Sequence, residues 1–378
     1  MTTFFCHRPI AVRVRFTLRS LVLLVVLLVV CSRFDGLAVI AAQESTDRPD
    51  QRRALTVQLS RQPRFESAAF LAALTKGYYQ QAGLEVFLRE WSAGVDVAKE
   101  VSDGNADFGT FDSSLLVERA NGRPVIALAA LLQHSGVVVL ATRQAGTLAA
   151  GDLAGQRVGS SAGSDSEVRA YLAASGVSAG SFRQFADAAE ARRALVEGQV
   201  DAVAVFVGDA AVQELVAGGE YLLVAPRRTA IDFYGSVLFT SERLLASQPG
   251  MVRAFRAATL KGLDYALDHP EELVDLILAK EHRPSASREQ LRFAAQQMRD
   301  LARPAGVETG AMRFARWQQA LEVYRAQGAI KPDADLLGFI YDPDAAGLGP
   351  FVPWMLGGAL LGVLVLGWAL RRFLARKN

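Results

Sequence analysis

The stretch GNADFGTFDSSLL (Gly104–Leu116) contains a glycine that ends a helix, a short apolar strand, and an acid followed by two serines. The same order occurs in LVEGQVDAVAVFVGDAA (195–211), which also starts at a helix end and finishes with an acid. In both stretches the acid, Asp112 or Asp209, stands where a strand ends and a new helix opens. A repeated strand-to-helix unit predicts a protein built from two similar α/β halves.

Apolar strand patterns alternate with helical patterns on both sides of these stretches. The alternation begins at Ala54 and starts again after Arg143 with the strand pattern RVGSS. It predicts two α/β lobes, each built on a parallel sheet. Residues 249–327 show only helical patterns, and we expect them to pack on the first lobe. The chain would then cross between the lobes twice, near 136–143 and near 232–239.

Both ends of the chain have patterns that are typical of membrane targeting. Arginines precede the uncharged run LVLLVVLLVV (21–30) and small residues follow it, as in a secretory signal cleaved near Ala42; an uncleaved anchor is the alternative. The uncharged run FVPWMLGGALLGVLVLGWAL (351–370) is long enough to span a bilayer as a helix. The tail RRFLARKN (371–378) is basic, so the positive-inside rule places it in the cytoplasm and the main domain in the periplasm.

These patterns together predict an inner-membrane protein with a two-lobed periplasmic domain and a single C-terminal span. The predicted segments are a signal peptide (1–42), a linker (43–53), the first part of lobe 1 (54–137), lobe 2 (138–231), the return to lobe 1 (232–345), a transmembrane helix (351–370) and a cytoplasmic tail (371–378).

Charge and cysteine content exclude several functional classes. The chain has 378 residues, and its predicted exported part, 43–350, contains six more acidic than basic residues. Nucleic-acid binding is therefore not expected, because it requires a basic patch. Both cysteines, Cys6 and Cys31, lie in the predicted signal, so the exported part has no disulfide and no thiolate metal ligand. We predict no metal and no cofactor.

Polar residues that follow predicted strands are candidates for a ligand site. The carboxyl ends of strands face the crevice of an open α/β sheet, so Asp112 and Asp209 are expected to face a shared cleft. Helix N-capping is the alternative role of both acids, and it is compatible with a position in the cleft. The turn GSSAGSDSE (159–167) is either a capped turn or a loop whose N–H groups receive a polar ligand group. His134, near the first crossover, is either a structural hydrogen-bonding residue or a ligand contact.

Aromatic residues also gather at predicted strand ends and crossovers. A flat ligand needs such faces together with a few polar groups, whereas core packing is the alternative role of each aromatic residue. No catalytic residue is predicted. The predicted ligand contacts are Phe65, Phe111, Asp112, Ser113, His134, Ser160, Ser161, Asp209 and Tyr234.

Four segments together resemble the periplasmic solute-binding proteins of the thiamine-pyrimidine-precursor and sulfonate group. They are QPRFESAAFLAALTKGYYQQAGLEV (62–86), DGNADFGTFDSSLLVERANGRPVIALAALLQHS (103–135), GDLAGQRVG (151–159) and the segment from DFYGSVLF to EELVDLI (232–277). The likeness covers roughly residues 54–341. It implies an α/β, two-lobe periplasmic-binding-protein fold of type II, with two inter-lobe crossovers, that closes on a small ligand.

The same family includes the thiamine pyrimidine synthase, an iron-dependent enzyme that consumes its own pyridoxal phosphate and a histidine. The resemblance places the enzyme's cofactor lysine at Phe111 and its sacrificial histidine near Leu115. Its cysteine-rich stretch corresponds to IDFYG (231–235), where no cysteine occurs. Because the amine and the thiolates are missing, we do not expect synthase activity.

The resulting prediction is a membrane-tethered periplasmic protein that captures a small, planar, nitrogen-containing metabolite, similar to a thiamine pyrimidine precursor, for ABC-type uptake. Its predicted partners are this small molecule, the inner membrane and an ABC permease. The alternative is a ligand-sensing input domain, in which a membrane signalling partner takes the place of the permease.

Overall fold

The computed structural model describes residues 54–60, 65–92, 94–143, 153–161, 165–174, 182–225, 232–280 and 286–343. The predicted signal peptide, linker, transmembrane helix and cytoplasmic tail lie outside these ranges. Within the ranges, no helix combines the length and the apolar composition that a bilayer crossing requires.

The described ranges contain ten strands in two five-stranded sheets. The strands are β1 (Ala54–Gln58), β2 (Glu85–Arg89), β3 (Phe108–Phe111), β4 (Val125–Leu132), β5 (Val137–Thr142), β6 (Val158–Ser161), β7 (Phe182–Phe185), β8 (Ala202–Phe206), β9 (Tyr221–Val224) and β10 (Ser236–Ser241). The first sheet has the order β2-β1-β3-β10-β4, and the second has the order β7-β6-β8-β5-β9. The chain therefore passes from one sheet to the other between β4 and β5 and returns between β9 and β10. The segments expected near the crossovers, 136–143 and 232–239, contain β5 and the first part of β10.

Helices connect the strands and form most of the C-terminal third of the described chain. They are α1 (Ala68–Thr75), α2 (Tyr78–Gln81), α3 (Val97–Asp103), α4 (Leu115–Ala120), α5 (Asp165–Ala174), α6 (Ala188–Val196), α7 (Ala210–Ala217), α8 (Glu242–Ser247), α9 (Pro249–Asp268), α10 (Pro270–Lys280), α11 (Arg288–Ala302) and α12 (Phe314–Ala326). We call the first sheet with its helices lobe 1 and the second sheet with its helices lobe 2.

The sheets are mixed, whereas the strand–helix alternation predicted a parallel sheet in each lobe. In lobe 1, β10 runs antiparallel to both β3 and β4. In lobe 2, β5 runs antiparallel to both β8 and β9. β10 and β5 are antiparallel for the same reason, because each is the first strand after a crossover. Each starts beside the point where the strands of its new sheet end, so it must run in the opposite direction.

The outer edge of β4 is covered by the C-terminal part of the described chain. All eight residues of β4 are buried, which is unusual for an edge strand. The Ala127 N–H donates to the Phe339 carbonyl at 2.8 Å, and the Ala130 N–H donates to the Gly310 carbonyl at 3.2 Å. These bonds satisfy backbone groups that the sheet itself leaves unpaired, so the apolar sequence of β4 fits an edge position.

The C-terminal helices pack mainly on lobe 1, as predicted, but two of them also reach lobe 2. Helix α9 lies along α1, and α10 also contacts α1. Helix α11 additionally contacts α7 of lobe 2, and α12 contacts α5 of lobe 2. The prediction missed these contacts because the apolar spacing of a helix shows which face is buried and not which lobe covers that face.

Stacked aromatic rings join α9 to the sheet in the core of lobe 1. The Phe255 ring lies parallel to the Phe108 ring, with centroids 3.7 Å apart, and to the Tyr79 ring, with centroids 5.2 Å apart. The Tyr79 hydroxyl is hydrogen bonded to the Thr259 hydroxyl at 2.8 Å. One turn further along α9, a Cβ at Gly262 would lie 2.2 Å from the Ala69 carbonyl oxygen of α1. The two helices therefore approach each other as closely as a glycine allows.

We expect Gly262→Ala to lower the free energy of unfolding by about 1–3 kcal/mol, the usual cost of overpacking a core. The added methyl group would force α9 away from α1 and disturb the ring stack. Gly250→Ala is the matched control, since Gly250 lies in the same helix with open space around its Cα. In that control the free energy of unfolding should stay the same or rise by up to about 1 kcal/mol, because alanine has a higher helix propensity than glycine. Urea unfolding of the two variants measures the difference, and equal stabilities would contradict this account of the α1–α9 contact.

Candidate functional site

A cleft of about 900 Å³ lies between the two lobes. It is bordered by the carboxyl ends of β1 and β3 in lobe 1 and of β6 and β8 in lobe 2, the usual position of ligands in open α/β sheets. Its volume is in the range of small-molecule sites. The polar and aromatic lining includes Ser60, Trp91, Asp96, Thr110, Phe111, Asp112 and Glu118 from lobe 1, and Ser161, Gln184, Asp187, Arg192, Phe206 and Asp209 from lobe 2.

The stretch that ends β3 places an acid and an aromatic ring side by side on the lobe 1 wall. Asp112 Oδ1 accepts hydrogen bonds from the Ser114 N–H at 2.8 Å and from the Ser114 hydroxyl at 2.5 Å. These bonds form the turn that leads into α4. Phe111 is half-buried, and its ring meets the Phe239 ring edge to face with centroids 6.2 Å apart. Phe239 therefore supports the Phe111 ring from within lobe 1.

The corresponding acid of lobe 2, Asp209, caps a helix and holds an arginine. Asp209 is the N-cap of α7, and its Oδ1 accepts a hydrogen bond from the Ala211 N–H at 3.1 Å. Its Oδ2 forms an ion pair with Nη1 of Arg192, which lies on α6. The side chains of Asp209 and Arg192 are only 17% and 19% exposed. Capping and a position in the cleft thus occur together in this residue.

Acidic side chains predominate on the described lining of the cleft. The carboxylates belong to Asp96, Asp112, Glu118, Asp187 and Asp209, and the cation that faces them is Arg192. Within lobe 1, Arg123 binds Asp96 at 2.6 Å and Glu118 at 2.8 Å. Burial raises the pKa of the Glu118 carboxyl; Arg123 opposes this shift, and the carboxylates of Asp96 and Asp112 add to it. The lobe 1 acids are therefore close enough to repel one another.

The nine predicted ligand contacts divide between the cleft and other parts of the fold. Four of them line the cleft: Phe111, Asp112, Ser161 and Asp209. Five do not appear on its lining: Phe65, Ser113, His134, Ser160 and Tyr234. Each of these five has a structural position that explains why the side chain is directed elsewhere.

Ser113 and Tyr234 join the strand end of β3 to the second crossover. The Ser113 hydroxyl accepts a hydrogen bond from the Tyr234 N–H at 2.8 Å and donates one to the Tyr234 carbonyl at 3.1 Å. The Tyr234 ring is buried against Trp317, with centroids 5.2 Å apart, and its hydroxyl accepts from the Arg313 N–H at 2.8 Å. Both residues were predicted as ligand contacts, but their polar atoms hold the backbone of the crossover.

His134 lies in the first crossover and links it to the second. Its Nδ1 lies 2.8 Å from the Asp232 carboxylate, which also forms an ion pair with Arg316 at 2.7 Å. Arg316 in turn donates from Nε to the Asp232 carbonyl at 2.6 Å. Of the two roles considered for His134, the structure therefore favours that of a structural hydrogen-bonding residue.

Phe65 and Ser160 are buried in the cores of their lobes. Phe65 is 2% exposed and packs in the lobe 1 core, whereas Ser67 of the same 3₁₀ turn lines the cleft. Ser160 is fully buried in β6. Successive residues of a strand point to opposite faces, so Ser161 can reach the cleft when Ser160 does not.

Several lining residues were not predicted, and Arg192 is the most important of them. Arg192 lies in the middle of α6, in a sequence that contains a second arginine at 193. Helical spacing marks neither residue as special, because only the tertiary fold brings α6 beside the N-terminus of α7. Trp91 and Thr110 could have been found, since each lies at or next to a strand end, the same signal that led to Phe111.

The chemistry of the synthase branch does not fit these residues. At the position where the resemblance implies a Schiff-base lysine, Phe111 presents an aromatic ring. Leu115, where the resemblance implies the sacrificial histidine, is fully buried. In the part of the chain that the structure describes, no group of three His, Cys, Asp or Glu side chains is arranged to hold a metal ion. We therefore derive no reaction step through pyridoxal phosphate or iron.

Comparison with known proteins gives relatives with two kinds of activity. The riboflavin-binding protein RibY of Chloroflexus aurantiacus is 27% identical over 267 residues, which cover 68% of this chain and 76% of the relative. The 4-amino-5-hydroxymethyl-2-methylpyrimidine phosphate synthase of Legionella pneumophila is 24% identical over 212 residues, which cover 55% of this chain and 67% of the relative.

A solved structure and a family match agree with the two-lobed fold. The periplasmic aliphatic sulphonate binding protein SsuA from Escherichia coli superposes with a TM-score of 0.60 at 15% identity, covering 78% of this chain and 93% of that chain. At this identity the likeness shows a periplasmic-binding-protein type of fold. The NMT1/THI5 like family matches residues 64–273, which is more than half of the sequence. The chain therefore belongs to the NMT1/THI5-like family.

Proposed function

We propose that this chain is a periplasmic solute-binding protein that captures a small, planar, nitrogen-containing metabolite and delivers it to an ABC-type permease. The observation that carries the proposal is the cleft, whose lining comes from both lobes at the carboxyl ends of their strands. A ligand in this position contacts both lobes, between which the chain crosses twice.

Aromatic residues on both sides of the cleft support a planar ligand. Trp91 and Phe111 belong to lobe 1, and Phe206 belongs to lobe 2. Thr110 and Gln184 add neutral hydrogen-bonding groups to the same lining. A few polar groups among aromatic faces are typical of sites that bind small ring compounds. By their names, the two sequence relatives handle a flavin and a pyrimidine, which are nitrogen heterocycles.

The two crossovers support a hinge mechanism of capture. A ligand that contacts both walls binds the closed arrangement of the lobes more tightly than the open one, and this difference in affinity drives closure. The hydrogen bonds of Ser113 to Tyr234 connect the lobe 1 wall to the second crossover. A change in the angle between the lobes therefore occurs next to the residues that touch the ligand.

A membrane tether is a further part of the proposal, and its support comes from the sequence alone. The uncharged segment 351–370 is followed by a basic tail. A helix in this segment would hold the binding domain beside its permease and raise the local concentration of the loaded domain. Synthase activity is not proposed, because Phe111 and Leu115 occupy the positions of the required lysine and histidine.

We expect purified full-length protein in detergent to be stabilised by at least one nitrogen heterocycle in a panel of pyrimidines, flavins, alkanesulfonates and amino acids. A ligand at one hundred times its dissociation constant stabilises the folded state by about 2.7 kcal/mol, which a thermal-shift assay detects easily. No shift with any member of the panel would reject the solute-binding proposal.

The variant Phe111→Ala tests whether such a ligand occupies the cleft. Loss of the Phe111 ring removes one face of the site and weakens binding, so the rise in melting temperature that the ligand causes should be smaller. Phe314→Ala is the control, because Phe314 is 62% exposed and is not among the residues that line the cleft. A ligand whose shift is equal in both variants binds elsewhere.

The proposed topology predicts opposite behaviour of two reporter proteins fused after Asn378. Green fluorescent protein should fluoresce and alkaline phosphatase should be inactive, because the C-terminus is expected in the cytoplasm. Truncation after Pro350 should move the protein from the membrane fraction to the soluble periplasmic fraction. An active phosphatase fusion would contradict the tether. A truncated protein that stays in the membrane would show that the segment 351–370 is not required to hold it there.

A further inference from the structure

Arg192 has hydrogen-bonding capacity that the described fold does not use. A guanidinium carries five N–H donors. Arg192 donates one hydrogen bond from Nη1 to Asp209 Oδ2 and makes no other hydrogen bond within the described part of the chain. The side chain is 19% exposed and lines the cleft. Four donors of a largely desolvated cation are therefore available to an acceptor group in the cleft.

Asp209 fixes the position of this guanidinium. One carboxylate oxygen is used by the N–H of Ala211 at the start of α7, and the other is used by Arg192. Because one Asp209 oxygen caps α7 while the other binds Arg192, Asp209 positions the Arg192 guanidinium in the cleft wall. This adds a positioning role to the one expected from the sequence, in which Asp209 is a ligand contact. Asp187, the other acid on the lobe 2 wall, is likewise engaged as the N-cap of α6, where its Oδ1 accepts from the Glu190 N–H at 2.8 Å.

The opposite wall carries more acidic side chains. Asp96, Asp112 and Glu118 line the lobe 1 side, and Arg123 is shared between Asp96 and Glu118. Asp112 is stabilised by the neutral donors of Ser114. Lobe 1 therefore presents acceptors and negative charge to the cleft, whereas lobe 2 presents two acids together with an arginine that has N–H donors beyond the one bound to Asp209.

We propose that the ligand is an amphoteric aromatic compound, with an acceptor or anionic group held by Arg192 and a donor or cationic group facing the lobe 1 carboxylates. This inference rests on the proposed solute-binding function and narrows its ligand class. The Phe111 ring lies beside Asp112 on one wall, and Phe206 lies on the same wall as Arg192, so the ring system of the ligand can bridge the two polar ends. A purely anionic compound, such as a simple alkanesulfonate, can bind Arg192 but is repelled by the carboxylates of lobe 1.

Four indole compounds test the charge requirement on one ring. Tryptophan carries an ammonium and a carboxylate, tryptamine only the ammonium, indolepropionate only the carboxylate, and indole neither. We expect tryptophan at millimolar concentration to give the largest thermal shift of the full-length protein. Either singly charged analogue should bind roughly tenfold more weakly, because a hydrogen bond to a charged group is lost. A tryptophan shift no larger than those of its analogues would overturn the inference.

Variants of Arg192 and Asp112 test which wall of the cleft binds the carboxylate and which binds the ammonium group of the ligand. In Arg192→Gln, tryptophan should no longer give a larger thermal shift than tryptamine. Arg192→Lys should retain part of this difference because the charge remains. Arg193→Gln is the matched control, since Arg193 is an exposed neighbour on the same helix. Asp112→Asn should remove the advantage of tryptophan over indolepropionate, with the exposed Asp333→Asn as control. Circular dichroism of the unliganded variants shows whether each one is folded.

The outcomes separate this inference from the proposed function. If Arg192→Gln binds tryptophan and tryptamine with the same preference as the Arg193→Gln control, Arg192 is not the anchor and the inference falls. If a heterocycle from the wider panel binds in the cleft but amphoteric compounds have no advantage, solute binding stands and the charge assignment fails. If no compound of either series shifts the melting transition, both proposals fail.

Discussion

The close contact between the two crossovers is the constraint on which the rest of this structure depends. A Cβ at Gly235 in the second crossover would lie 2.4 Å from the His134 carbonyl oxygen in the first, so the two backbones touch. A larger residue at Gly235 would separate the segments through which the lobes are joined. Because β5 and β10 begin directly after these segments, the directions of both strands and the antiparallel pairs in both sheets follow from this contact. The cleft is lined by strand ends of both sheets, and the lobes also contact each other through the C-terminal helices.

Side chains reinforce the backbone contact and connect it to the cleft. Asp232 accepts from His134 on one side and from Arg316 on the other. Burial lowers the pKa of the Arg316 guanidinium, and the Asp232 carboxylate opposes this shift. The adjacent residues Asp112 and Ser113 then divide two tasks, since Asp112 lines the cleft and Ser113 holds the crossover at Tyr234. A two-residue segment at the end of β3 thus couples the ligand-facing wall to the hinge.

The sequence predicts the two-lobed fold well because the relevant signals are local. A strand that ends in an acid and opens a helix is visible at Asp112 and again at Asp209, and the chain crosses between the sheets where the strand patterns change. The alternation of strands and helices predicted a parallel sheet in each lobe and did not indicate the antiparallel direction of β5 and β10, since an apolar run has no direction until its neighbours are known. The same limitation applies to Ser113 and Tyr234, whose polar atoms pair across 121 positions of the chain. Ser160 and Ser161 look equivalent in the sequence, and only the structure shows that Ser161 lines the cleft and Ser160 is buried.

Arg192 shows why charge in a cleft cannot be inferred from composition. The predicted exported part is acidic overall, and its strand ends carry acids, so the sequence directs attention to carboxylates. In the fold, the two acids on the lobe 2 wall are engaged by helix N-termini, where the positive end of the helix dipole stabilises a carboxylate. Their negative charge is therefore partly compensated by backbone N–H groups. Arg192, which is paired with Asp209, keeps N–H donors for a ligand, so the binding properties of that wall depend on which of its charged groups are already hydrogen bonded within the protein.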